Sequence, residues 1–256
     1  MIEMLDPKTL TAFVTGATSG FGEALCRRFV NAGARVIATG RRRERLDRLQ
    51  RELGERCHAA VFDVRDRAAV EAAVAAIPDP FRDINVVIAN AGLALGLEPA
   101  HRTDIEDWET MVATNVNGML YTVRALLPSL VERDEGHVIL IGSVAGDYPY
   151  AGGNVYGASK AFVKQFALNL RADLLGANVR VSNIEPGMAE TEFALVRFKG
   201  NADKALVGYR GLKPMSAEDI AEIIFWTCTL PRHLNINRLQ VMPVMQSFAG
   251  YAFSRK

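Results

Sequence analysis

The chain has 256 residues, 49% hydrophobic and 23% charged, an ordinary globular composition with enough length to bury a large core without disulfide or metal staples. Thirty basic and 29 acidic residues leave a net charge of +1, and the densest basic run (Arg41, Arg42, Arg43, Arg45 and Arg48) is interleaved with Glu44 and Asp47, which argues against a nucleic-acid binder with its basic stripe. Cys26, Cys57 and Cys228 form no CxxC pair, so neither a disulfide framework nor a metal site is expected, and Cys26 and Cys57 read as small buried hydrophobes. The start of the chain carries Glu3 and Asp6 and does not read as a signal peptide. The longest uncharged run, 239–254, is broken by Pro243 and Gln246 and is too short to span a membrane. The expected place is the cytoplasm.

Apolar strands and helical patterns then alternate. Strands are expected over 10–15, 35–39, 59–62, 86–89, 138–141, 179–184 and 239–241. Helices are expected over 22–32, 43–53, 68–77, 108–131, 155–175 and 217–229. Strands that are continuously apolar are buried on both faces, and strand–helix repetition makes their sheet parallel. The fold class is therefore α/β, a single doubly wound domain of about seven parallel strands with helices on both faces. Residues 190–215 have weak periodicity between a strand and a helix, and are expected to form a substrate lid.

The first strand runs into Gly16, Ala17, Thr18, Ser19, Gly20, Phe21 and Gly22, where a helix begins. Such glycines let the backbone approach a pyrophosphate, which the helix N-terminus then receives; three glycines can also be only a turn, but this one joins the first strand to the first helix. After the second strand come Thr39, Gly40, Arg41 and Arg42. No carboxylate is present to meet a ribose 2′-hydroxyl, and two guanidiniums can pair with a 2′-phosphate, so NADP(H) is the expected cofactor; the alternative is that the arginines open a solvated helix.

Asn115, Ser143, Tyr156 and Lys160 form the expected catalytic set. Tyr156 and Lys160 are one helical turn apart and share a face, and Ser143 follows a strand. This layout suits hydride transfer at a carbonyl, with Ser143 holding the oxygen, Tyr156 exchanging the proton, and Lys160 holding the nicotinamide ribose and lowering the tyrosine pKa. A second YxxxK, Tyr209 with Lys213, has Gly211 inside it and no upstream serine, since Val196 stands at the matching place; Tyr209 reads as a lid or surface tyrosine. His58, His101, His137 and His233 read as surface or capping residues, Trp226 as core, and Met242 and Met245 as packing residues. Glu98 and Arg197 are open to either a substrate-facing or a solvated reading.

Across essentially its whole length the chain resembles the short-chain dehydrogenase/reductase family. TGATSGFG resembles the family's cofactor turn, and Asp63 with Val64 its adenine-contacting pair. Asn90, Ala91 and Gly92 resemble the segment supporting the sheet beside the cofactor, and Pro186, Gly187 and Thr191 the nicotinamide-side PGxxxT. The resemblance implies that Asn115 links Lys160 to a proton-relay water. NAGLALGLEPAHRTDIEDWETM, YAGGNVYGASKAFVKQF, TEFALVRFKG and LNINRLQVMPVMQSFAG resemble the NADP-dependent 3-hydroxy acid dehydrogenases of that family. They imply a small 3-hydroxy acid substrate of the serine, allo-threonine or malonic semialdehyde type; Tyr148 stands where that group is expected to carry tryptophan. Ser143, Tyr148, Asn154 and Arg197 are the candidates for holding it, Arg197 by pairing with its carboxylate. Competing readings are a carbonyl or 3-oxoacyl thioester reductase, for which Arg197, Lys199 and Lys204 give a weak carrier-docking patch, and a non-catalytic NADP-binding redox sensor. Apolar residues on more than one face of 108–131 and 155–175 (Met119, Leu120, Phe162 and Phe166) and the family's habit together point to a homotetramer.

Overall fold

A computed structural model describes residues 3–248. Seven strands form the sheet: β1 (Thr11–Val14), β2 (Arg35–Gly40), β3 (Cys57–Val61), β4 (Val86–Ala89), β5 (Gly136–Ile141), β6 (Val179–Pro186) and β7 (Arg238–Val241). All pairings are parallel, in the order β3-β2-β1-β4-β5-β6-β7. Successive side chains of a strand enter opposite layers. Ala12, Val14, Val36 and Ala38 pack with Leu25 and Phe29 of α1 (Gly20–Asn31), Leu46 and Leu49 of α2 (Arg43–Leu53), and Ile220 and Ile224 of α9 (Ala217–Thr229). Phe13, Ile37, Val87 and Ala89 pack on the other side with α3 (Arg67–Ala75), α5 (Gly118–Glu132) and α6 (Asn154–Asp173). Both faces of the strands need apolar residues, which is why the strand sequences do not alternate.

The helix expected over 108–131 is one helical run in three parts. α4 (Ile105–Val112) passes into a π-helical turn, Ala113–Asn117, and then into α5. The wider turn carries Asn115, and turns of this kind occur often at functional sites. The weakly periodic stretch is more ordered than expected. It holds α7 (Glu192–Arg197), capped by Thr191, and α8 (Ala202–Val207), capped by Asn201. A parallel bridge between Ala189 and Met215 closes its base.

Three side chains depart from expectation. His137 is buried in β5 against Ser182 of β6, 2.9 Å away, because the sheet has no solvated face there. Trp226 is 46% exposed, since α9 buries Ile224, Phe225 and Cys228 instead. Met119 is 4% exposed and belongs to the core rather than to a surplus face, whereas Phe162 is 41% exposed and stacks on Phe166 with centroids 6.1 Å apart.

Candidate active site

β1 and β4 are neighbours whose outgoing chains leave toward opposite faces, so a crevice opens at their carboxyl ends. The glycine turn lies there. Gly16 and Gly20 have φ of +69° and +52°, and a Cβ on Gly22 would sit 2.3 Å from the Gly16 carbonyl oxygen. Ser19, at the N-cap of α1, makes no side-chain cap bond, which leaves the first N–H groups of the helix to a ligand. Asn90 and Ala91 brace the turn: both backbone N–H groups donate to Thr15 Oγ1 (3.0 and 2.9 Å), and Asn90 Nδ2 donates to the Thr15 carbonyl at 2.8 Å.

Beside the turn, a Cβ on Gly40 would meet Thr18 Cγ2 at 2.8 Å, so the end of β2 is pressed against the turn. Arg42 lies along it, donating through Nε and Nη2 to Thr18 Oγ1 (2.9 and 2.7 Å) and through Nη2 to Ser19 Oγ (2.8 Å). Arg41 is more exposed and stands 3.6 Å from Asp63. Partial burial works to raise the Asp63 carboxyl, but hydrogen bonds from Arg65 and the charges of Arg41 and Arg65 outweigh it and hold it below the usual range. Val64 fills the space opposite Gly118, where a Cβ would come within 2.7 Å.

The four polar residues converge on the same crevice. Asn115 is buried in the π turn; its Oδ1 accepts from Leu93 N–H (2.8 Å), and its Nδ2 donates to the Leu93 carbonyl (2.8 Å) and to Ser159 Oγ (3.0 Å). Ser143 lies just past β5, its Oγ accepting from Ala145 N–H at 3.1 Å. Lys160 is buried, with Nζ donating to the Ile141 carbonyl at 2.7 Å and standing 5.9 Å from the Tyr156 ring centroid. Gly92 sits between, its missing Cβ 3.3 Å from Asn115 Oδ1 and 3.5 Å from Lys160 Nζ.

The electrostatics differ from the expectation that Lys160 lowers the tyrosine. Burial pushes the Tyr156 phenol up to about 12, against the lowering influence of a hydrogen bond with Ser143 and of the Arg197 charge. Burial likewise brings Lys160 down to about 8. Burial thus favours the neutral form of both groups, the phenol and the amine.

The cleft encloses about 840 Å³ and runs from the glycine turn past Tyr156 to α7 and α8. Pro186 and Gly187 line it, with Gly187 closely covered by Gln246, and Thr191 rests on Gly20. Arg197 roofs it, its guanidinium carbon 5.3 Å from the Tyr156 ring, 5.6 Å from Tyr150 and 5.9 Å from Phe193. It donates to the Tyr150 hydroxyl, while its buried Nε has no protein partner. Tyr148 forms part of the wall, donating to Gln240 Oε1 at 3.1 Å and packing on Phe248. Asn154 does not line the cleft; its amide accepts from Trp108 Nε1 and donates to the Glu98 carbonyl, tying the chain before α6. Tyr209 donates to the Ala189 carbonyl at 3.0 Å, within the helical excursion.

Four contributors escaped the sequence reading. Ser159 supports Asn115, Tyr150 holds Arg197, Phe193 packs 5.6 Å from the Tyr156 ring, and Glu192 binds Arg42 and Arg45. The closeness of Ser159 to Tyr156 and Lys160, and of Glu192 and Phe193 to Thr191, was the available signal. Among the described residues, no group of three or more His, Cys, Asp or Glu could hold a metal ion, and no helix is long and apolar enough to cross a membrane. The open helix N-terminus, the close-packed glycines and the paired arginines fit a dinucleotide carrying a 2′-phosphate.

Comparison with known proteins agrees with this geometry. Residues 10–201 match the family described as short chain dehydrogenase. The chain is 58% identical over 247 residues to the NADP-dependent 3-hydroxy acid dehydrogenase YdfG of Salmonella typhi, covering 96% of this chain and 100% of that one. It is 53% identical over 246 residues to the serine 3-dehydrogenase of Agrobacterium fabrum, covering 96% and 98%. The solved closed form of serine dehydrogenase complexed with NADP+ superposes with a TM-score of 0.95 at 55% identity, over 96% of this chain and 99% of that one. With its parallel sheet, its glycine turn and these relatives, the chain belongs to the short-chain dehydrogenase family.

Proposed function

We propose that the chain is an NADP-dependent oxidoreductase that moves a hydride between NADP(H) and the 3-hydroxy or 3-oxo carbon of a small 3-hydroxy acid such as serine, allo-threonine or 3-hydroxypropionate. The observation that carries this reading is the juxtaposition of Arg197 with Tyr156: a guanidinium with an unpartnered buried Nε roofs the ring of the proton-exchanging phenol. A carboxylate held by Arg197 brings the substrate's third carbon toward Tyr156, and a closed site that excludes water needs such a partner for the carboxylate charge. The names of the relatives, 3-hydroxy acid dehydrogenase and serine 3-dehydrogenase, support the same substrate class.

NADP(H) supplies or accepts the hydride. Gly16, Thr18, Ser19, Gly20, Phe21 and Gly22 cradle its phosphates, Arg41 and Arg42 face the 2′-phosphate, Asp63 and Val64 the adenine, and Asn90, Ala91, Gly92, Pro186, Gly187 and Thr191 the remainder. Ser143 donates a hydrogen bond to the carbonyl oxygen. Tyr156 gives that oxygen its proton in reduction and takes it back in oxidation. Lys160 holds the nicotinamide ribose, and Asn115, fixed to the main chain at Leu93, orders the water that resupplies the proton. Residues 190–215 act as the lid of a single-domain enzyme. The exposed Phe162 and Leu168 of α6 and Ile105 and Val112 of α4 support a homotetramer, and the cytoplasm is the expected compartment. The ion pair of Lys199 with Asp107 (2.9 Å) leaves little of the basic patch that a carrier-docking thioester reductase needs.

The test is a substrate panel with NADP+: serine, allo-threonine and 3-hydroxypropionate against uncharged alcohols of equal size. Oxidation of the acids well above the alcohols is expected; a preference for the alcohols contradicts the reading.

A further inference from the structure

Arg42, which faces the expected 2′-phosphate subsite, already has a carboxylate partner. Its Nη1 donates to Glu192 Oε2 at 3.0 Å, while its Nε and Nη2 stay on Thr18 and Ser19. Glu192 opens α7 and belongs to the excursion over the cleft, far in sequence from the glycine turn. Arg45 Nη1 meets both oxygens of the same carboxylate, at 2.7 and 2.8 Å. Partial burial opposes the charged form of Glu192, but hydrogen bonds from Arg45 and Arg42 outweigh it, so the group is an anion. One negative group therefore spans two arginines beside the subsite where a dianionic phosphate is expected.

Two anions close to one guanidinium repel each other and divide its donors. We infer that Glu192 is a specificity-setting residue that competes with the 2′-phosphate of NADP(H) for Arg42. Arg45 makes the exchange feasible, because Glu192 keeps an ion pair on Arg45 when the phosphate draws Arg42 away. A cofactor without the 2′-phosphate has no reason to displace Glu192 and does not meet this opposition. Glu192 thus trims the affinity for NADP(H) selectively, and it ties the first turn of α7 to the occupancy of the subsite.

The inference rests on the NADP reading, and calorimetry on the full-length enzyme separates the two. The probes are 2′,5′-ADP, which carries the 2′-phosphate, and 5′-ADP, which lacks it. Glu192→Gln keeps the shape and removes the charge. The expected result is that Glu192→Gln binds 2′,5′-ADP about twofold to fivefold more tightly than wild type, the range for a partly exposed charge pair. Its affinity for 5′-ADP is expected to match wild type, which also reports an intact glycine turn. If Glu192→Gln leaves 2′,5′-ADP binding unchanged, weakens it, or tightens both probes by the same factor, the inference is overturned while the NADP reading stands. Equal affinity for the two probes in both wild type and Glu192→Gln overturns both.

Discussion

The floor and the roof of the cleft are built differently. On the floor, Asn115, Tyr156 and Lys160 are buried, and main-chain groups fix two of them: Leu93 holds Asn115 on two sides, and the Ile141 carbonyl holds Lys160. The roof, 189–215, is fastened through the Ala189–Met215 bridge, the Tyr209–Ala189 bond and the charge pairs of Glu192 and Lys199. Its Leu195, Val196, Leu206 and Val207 are exposed. The proton exchange proposed for Tyr156 needs atoms that do not move, and the floor draws on the sheet. The proposed recognition of a charged ligand needs an element that can open, and a segment with few buried apolar contacts opens at low free energy.

The largest expected effect tests where the chemistry sits. Tyr156→Phe removes the exchangeable proton with almost no change in volume, so kcat should fall about 10²- to 10⁴-fold while NADP+ binding, followed by calorimetry, survives. Tyr209→Phe, on the roof, should keep most of its activity. A reversal of the two would move the chemistry to the roof.

Next comes the rigidity of the floor. Gly22→Ala puts a methyl group 2.3 Å from the Gly16 carbonyl oxygen, a main-chain atom that cannot swing aside as the end of a side chain can. A destabilisation of about 1–3 kcal/mol is expected in thermal or denaturant melts, with a large loss of NADP+ affinity. A variant that binds normally would show a looser turn than the contacts imply.

A functional lysine held in the floor should also lower stability. Lys160 falls from its ordinary 10.5 to about 8 because burial disfavours its charge. Between pH 8 and 10.5 Lys160 therefore binds more protons in the unfolded chain than in the folded one. Its own contribution to stability rises with pH through that window, and its full penalty is present below it, while the buried Cys57 and Cys228 thiols, pushed up to about 12, pull stability the other way above pH 9. Lys160→Met should be inactive yet more stable at pH 7 by about 1–3 kcal/mol, less whatever the lost bond to the Ile141 carbonyl contributed. The gain should vanish above pH 10.5. Melting curves of both proteins across this range check the sign.

The smallest effect concerns the phosphate end. Arg41→Ala and Arg42→Ala should each raise the KM for NADP+ by about tenfold or less and leave that for NAD+ nearly unchanged, as expected for partly exposed cations. Equal changes for both cofactors would reduce the arginines to braces of the turn.

The sheet was readable in the sequence because burial on both faces leaves an unmistakable apolar run, as in VVIA of β4 and HVILI of β5. The floor was readable because its residues follow strand ends or share a helical face. The π turn at Asn115 was not, since one extra residue in a turn leaves an apolar helix apolar. His137 and Trp226 were misplaced for a related reason: neither chemistry nor hydropathy says which face of an element meets the neighbouring layer. The roof was hardest. α7 and α8 are six residues each, too short to print a period, and Glu192 acts through Arg42 and Arg45, some 150 positions away.

The division between fixed chemistry and movable recognition rests most on Arg197, which reaches from α7 to the Tyr156 ring. The direct measurement is kcat/KM for 3-hydroxypropionate and for its uncharged methyl ester, in wild type, Arg197→Lys and Arg197→Ala. If Arg197 binds the carboxylate, Arg197→Ala should lose about 1.5–3 kcal/mol on the acid, the range for a hydrogen bond to a charged group, and much less on the ester. Arg197→Lys should recover only part of the loss, because an ammonium lacks the planar fork. Equal losses on acid and ester would contradict the account and leave Arg197 as a residue that shapes the roof without reading the substrate's charge.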